Sequence, residues 1–182
     1  MEQWRPGPVY IRRAVLLSPV IVTDITSTAS DPEAAWTDLD QRLPILFEDI
    51  IWYNGQLYAV DNYYDLILFE LGLRPRGTRL NLPCPAGYDR DYRKGDRCIY
   101  SVESCGELLM VVKTWNCNRA RLPNLPRYVT TTFAVFKLNP RGHCWIKVES
   151  LGDRMLFVGA SNGISVSASY FLGFKGNCKS YT

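Results

Sequence analysis

His143 is the only histidine among 182 residues, so any mechanism that needs imidazole as a base or metal ligand has one candidate. Gly142 and Cys144 flank it and place it at a turn entering a strand, where a solvated turn histidine is the default. Cys144 as nucleophile with His143 as its base fails on geometry, because adjacent strand residues point to opposite faces. The six cysteines stand at 84, 98, 105, 117, 144 and 178, and no two make the C-x-x-C spacing of zinc or redox sites. They read as reduced, partly buried thiols, with those at strand edges and in loops the exposed exceptions. A chain of this length can hold itself together without disulfides, and no Asn-x-Ser/Thr acceptor is present. The carboxylate pairs Glu48 with Asp49 and Asp89 with Asp91 fall near turns and strand ends, where carboxylates are usually solvated. No phosphate-binding loop, dinucleotide fingerprint or nucleophile elbow occurs. The expectation is a chain that binds rather than catalyses, with no catalytic residue, cofactor or metal assigned.

Charge names no partner. Lys and Arg total 21 against 18 for Asp and Glu, a balance of +3 without a basic or acidic tail. Arg12 and Arg13 precede an apolar run at 14–22 that superficially copies a signal peptide, yet Pro19 interrupts it. The alternation of Val9, Ile11, Ala14 and Leu16 suits a strand instead. No stretch approaches the ~18 apolar residues of a membrane span, so no membrane partner is expected.

The elements that must carry any binding surface are short β-branched and aromatic runs cut by Gly, Pro, Asn and Asp. They predict an all-β protein with strands at 9–17, 47–53, 56–62, 65–71, 78–82, 98–104, 107–115, 131–138, 143–149, 154–160 and 163–169. Only 31–36 hints at a helix, with Asp31 as N-cap and Pro32 at the first position. Asn54-Gly55 is the strongest hairpin cue, because a two-residue type I′ loop demands positive φ at both positions.

The pattern repeats. Residues 51–60 and 102–111 share one shape, an apolar start, a turn glycine, a polar residue and an apolar run, with Gly55 and Gly106 separated by 51 residues. The next strands also match, 66–71 against 133–138, and align Phe69 with Phe136. Trp145, and Trp36 in a preceding unit, would open closing strands. Such units, each an antiparallel meander at 47–82 and 98–149 with partial units at 9–39 and 154–182, describe blades of a β-propeller. The alternative is a β-sandwich. Fewer than four 51-residue units fit into 182 residues, short of the ~4 blades of the smallest closed propellers, so a single, incomplete propeller-type domain with exposed sheet edges is expected.

The stretches 10–15 and 47–61, the block Leu151-Gly-Asp-Arg-Met-Leu-Phe-Val-Gly159, then Ser165-Val-Ser-Ala-Ser169 and Gly176-Asn-Cys178, resemble the plant F-box-associated family known as domain of unknown function 295. The resemblance implies a kelch-like β-propeller that holds a protein for a cullin-type ubiquitin ligase. Family members commonly carry an N-terminal F-box, and no F-box-like helical segment precedes Trp4, so ligase subunits are expected as partners only where an F-box lies upstream. Some members lack the F-box, so an F-box-less organellar or nucleocytoplasmic scaffold is the alternative function; the expected location is cytoplasmic or nuclear, with mitochondrion or chloroplast as the alternative.

In a four-stranded blade the connections from strand two to three and from strand four to the next blade leave by the same end. Here these are 116–130 and 83–97, the two longest. The residues expected to meet a protein partner are Tyr88, Arg90, Tyr92, Arg93 and Arg97 on one, and Arg119, Arg121, Arg127 and Tyr128 on the other. Two solvated loops without a partner are the alternative, because Asp89, Asp91 and Asp96 interleave with the basic residues. Single-stranded nucleic acid is disfavoured, because a net charge of +3 is thin for phosphate binding and the aromatics at 47–69 fall at strand positions expected to fill the core.

Overall fold

A computed structural model of the chain describes residues 47–70, 76–89, 97–117, 128–141, 144–159 and 163–181. The first sheet runs in the order β1 (Phe47–Tyr53), β2 (Gln56–Asp61), β3 (Leu66–Glu70), β4 (Arg76–Arg79). The second repeats this with β5 (Arg97–Ser104), β6 (Glu107–Cys117), β7 (Tyr128–Leu138) and β8 (Trp145–Lys147). Every pairing in both is antiparallel between consecutive strands.

The repeat rests on turn chemistry. Asn54 and Gly55 have φ of 48° and 75°, and Cys105 and Gly106 have 52° and 74°. Both hairpins therefore use two left-handed residues, whose backbone twist matches that of the strands they join. Tyr53 pairs with Gln56 and Ser104 with Glu107, so the 51-residue spacing superposes turn on turn. The alignment of Phe69 with Phe136 is corrected by the register. Phe69 lies opposite Leu57, two residues past its turn glycine, whereas Phe136 lies opposite Met110, four residues past. The positional equivalent of Phe136 is Ile67. A slip of two residues keeps every side chain on its original face, so the hydrophobic pattern cannot detect it.

The second sheet is buried on both faces, and this decides between propeller and sandwich. On one face Leu108, Met110, Val112 and Phe136 pack with Val60, Tyr64 and Leu66 of the first sheet. On the other, Tyr100, Val102, Leu109, Val111 and Val135 pack with Leu151, Leu156 and Val158 of a third. The two-layer alternative is thereby replaced by side-by-side sheets, each turning its equivalent face toward the sheet before it. Leu57, Ala59, Ile67 and Phe69 form the corresponding face of the first sheet and are themselves buried.

The edge strands β1 and β5 are neighbours, and β5 also lies against β10 (Gly163–Ser167). Asp49 at this seam is buried, its carboxylate accepting the backbone N–H of Ser101 at 2.5 Å and of Ile50 at 2.8 Å. The expectation that Asp49 is solvated fails because the amide on the neighbouring edge strand needs an acceptor.

The third sheet differs from an antiparallel meander. The chain enters it at β9 (Arg154–Val158), moves inward to β10, and returns to the outside of β9 as β11 (Cys178–Tyr181), parallel to it. A parallel neighbour requires a crossover, supplied by residues 168–177 with a 3-10 turn at Ala168–Tyr170. The strand expected at 163–169 therefore ends at Ser167. The strand expected at 78–82 is β4, ending at Arg79, because Leu82 leaves the sheet to fill the core between the first two sheets. The one expected at 143–149 is the short β8. The expected strand at 9–17, the helix at 31–36, the unit at 9–39 and His143 lie outside the described residues.

Candidate protein-interaction rim

One end of the second sheet is defined by register. Arg97, the first residue of β5, pairs with Thr114 of β6, which pairs with Thr132 of β7. The connection from β4 to β5 and that from β6 to β7 both attach at this end, as expected from the alternation of an antiparallel meander. Arg90, Tyr92, Arg93, Arg119, Arg121 and Arg127 lie outside the described residues, on those two connections, and Tyr128 opens β7, its backbone paired with Cys117.

Tyr88 and Arg97 have described side chains, and both hold the end of the fold together. The Tyr88 ring meets Phe136 edge-on at 5.7 Å and Tyr64 at 5.6 Å. The Arg97 guanidinium stands 4.7 Å above the centre of the Tyr64 ring and donates to the Asn62 carbonyl at 2.7 Å. Arg97 thus joins the second sheet to the β2–β3 turn of the first, using the cation and the fork of donors at once.

That turn is built on Asp61. One carboxylate oxygen accepts the backbone N–H of Tyr63 at 2.8 Å and of Asp65 at 2.9 Å, and the other accepts Arg79 at 2.6 Å. Burial pushes the Asp61 carboxyl above its ordinary range, while the two backbone amides and Arg79 pull the other way. Tyr64, held by this turn at φ 68°, is buried completely, an uncommon conformation for a bulky residue. Its carbonyl accepts the indole N–H of Trp145 at 2.9 Å. Its hydroxyl has no partner among the described residues, and burial pushes it up to about 12. Tyr88 is also raised, chiefly by burial.

Exposed hydroxyls extend the end toward the β6–β7 connection, where Thr114 bonds Thr132 at 2.5 Å and Thr131 at 3.1 Å. The assembly is a platform of a half-buried ion pair, edge-on rings and threonines, at the end of the sheet to which the two connections attach. Sequence reasoning found the connections and missed the platform. Asp61 and Arg79 lie 18 residues apart and Tyr64 and Trp145 lie 81 apart, separations that no local pattern encodes. Of the described cysteines, Cys84, Cys98 and Cys144 are half-buried and Cys105 and Cys178 exposed, none of these five in a disulfide.

Comparison with known proteins agrees with this architecture. The F-box protein SKIP23 of Arabidopsis thaliana is 25% identical over 154 residues, covering 77% of this chain and 35% of the relative. F-box protein At2g26160 of the same plant is 29% identical over 143 residues, covering 78% and 40%. A putative F-box/kelch-repeat protein, At5g24040, also from Arabidopsis thaliana, is 25% identical over 146 residues, covering 78% and 36%. The chain therefore spans roughly a third to two-fifths of the length of these relatives. No solved structure matches it. The model of the KIB1-4 beta-propeller family matches residues 9–179, nearly the whole chain, and the protein belongs to that family.

Proposed function

We propose that this chain is a non-enzymatic protein-binding module of the F-box protein class, gripping a protein at the end where the β4–β5 and β6–β7 connections emerge. The observation that carries the reading is their convergence on one end of the second sheet, beside a turn locked by Arg97 and Asp61. Recognition residues are usually borne on loops held by a rigid scaffold, and Arg and Tyr are the types that interfaces favour. The partner-facing set is Arg90, Tyr92, Arg93, Arg119, Arg121 and Arg127, on the two connections, with Tyr88 and Arg97 holding the end of the fold to which those connections attach. As in the relatives named F-box proteins, the bound protein would be a client presented to a cullin-type ubiquitin ligase.

Proteins captured by the intact chain from a plant extract, purified and re-measured, test this reading. Joint replacement of Arg93, Arg121 and Arg127 by Ala is expected to weaken binding about tenfold or more while leaving thermal stability unchanged. Unchanged affinity would remove the rim from the account.

A further inference from the structure

At the opposite end of the molecule the crossover between β10 and β11 presents Tyr170, Phe171, Leu172 and Phe174 to solvent. Tyr170 is 84% exposed, Leu172 fully so and Phe174 60%. Its position follows from the seam between sheets. Gly163 lies against Ser101 and Val102 of β5, and the Ser165 hydroxyl meets that of Ser104 at the end of β5 remote from Arg97. Residues beyond Ser167 therefore project past that end.

The crossover is held at both feet. The Asp153 carboxylate accepts the Ser167 hydroxyl and the Ser169 N–H, and the Asp153 carbonyl accepts Ala168 N–H at 2.7 Å. On the other side Asn177 accepts Leu151 N–H at 2.9 Å and donates its own N–H to the Arg154 carbonyl at 2.9 Å. Gly176 fits because any Cβ there would overlap the Gly152 carbonyl and Asp153 backbone. Between the feet, Phe171 and Phe174 meet edge-on at 5.8 Å across a turn that Gly173 closes at φ 84°. An anchored loop of this kind presents apolar side chains at small entropic cost, which is what a binding anchor needs.

We propose that residues 170–175 form a second docking surface, distinct from the rim, for a protein segment that combines aliphatic or aromatic side chains with carboxylates. The charge pattern selects that partner. From residue 154 to 182 the sequence holds no Asp or Glu, while Lys175 ends the apolar tip, Lys179 follows in β11, and both are exposed. A second copy fits less well, because a two-fold contact through the tip would bring like lysine pairs together. A lipid surface fits less well too, because two lysines are fewer than a polybasic patch carries.

Panning a phage-displayed random peptide library on the intact 182-residue chain tests the proposal. Enriched peptides are expected to pair Asp or Glu with Leu, Phe or Trp. In fluorescence anisotropy their synthetic forms should bind Leu172→Asp about tenfold or more weakly and the Lys175→Glu/Lys179→Glu double variant several-fold weakly. Lys147→Ala, toward the rim, should bind as the unchanged chain does. Leu172 is fully exposed, so its variant should melt at the same temperature. Peptides without carboxylates, or peptides indifferent to Leu172→Asp, overturn the proposal. So does Leu172-dependent binding that appears only with phosphatidylcholine/phosphatidylserine vesicles, or only as self-association of the chain.

Discussion

The indole N–H of Trp145, on the outer strand of the second sheet, donates to the carbonyl of Tyr64 in the first at 2.9 Å. The bond fastens the β2–β3 turn, which Arg97 also holds through the Asn62 carbonyl and the Tyr64 ring. Trp145→Phe keeps much of the ring and leaves a buried carbonyl unpaired, for an expected loss of about 1–3 kcal/mol. Trp145→Ala adds a cavity and should cost about 3–5 kcal/mol. Urea unfolding at unchanged m-value reads both losses, and a Phe variant as stable as the parent would show the bond to be dispensable.

Tyr64 makes the same turn sensitive to alkali. Its folded hydroxyl is pushed up to about 12 from 10.0, so the unfolded chain ionises first as pH rises. The native state's advantage is complete below pH ~10 and is lost progressively towards pH ~12, an effect of the order of 2–3 kcal/mol. Tyr64→Phe should flatten this alkaline limb. At neutral pH it should leave stability equal or slightly higher, because the hydroxyl removed is buried without a described partner. A steep alkaline limb retained in the Phe variant would assign the transition to other groups.

Glu107 behaves oppositely at the far end of the second sheet. It accepts Lys137 at 2.7 Å and meets Arg154 of the third sheet at 3.4 Å, and the hydrogen bond from Lys137 is the main reason its carboxyl is held below the ordinary range. Its contribution is therefore complete above pH ~4.5 and is lost as pH falls through the lowered value. Glu107 and Lys137 are each about a third exposed, so the effect should be roughly 0.5 kcal/mol or less. Glu107→Gln should blunt the acid limb measured by chemical unfolding between pH 5 and 3, and high salt should mimic the substitution. An acid limb identical in both proteins would show the network to be energetically silent.

Local patterns in the sequence determined the β1 and β6 start points, the two left-handed hairpin turns, the 51-residue repeat and the closing strand that begins at Trp145. Each depends on interactions between near neighbours: turn residues that tolerate positive φ, and alternation along one strand. Tertiary structure decided what those rules leave open. A two-residue register slip preserves faces, so only pairing with Leu57 and Met110 could distinguish Phe69 from Phe136. Asp49 resembles any turn carboxylate until Ser101, 52 residues away, offers its amide. Tyr88 and Arg97 have the side chains of an interface, yet their rings and charge stabilise the platform because Tyr64 and Phe136 lie within reach in the folded chain. The parallel return of β11 depends likewise on Asp153 and Asn177 finding partners across the crossover. Hydrophobic periodicity reports which face is buried, while register and long-range polar pairing report against what, and only the second kind of information places a side chain in a site.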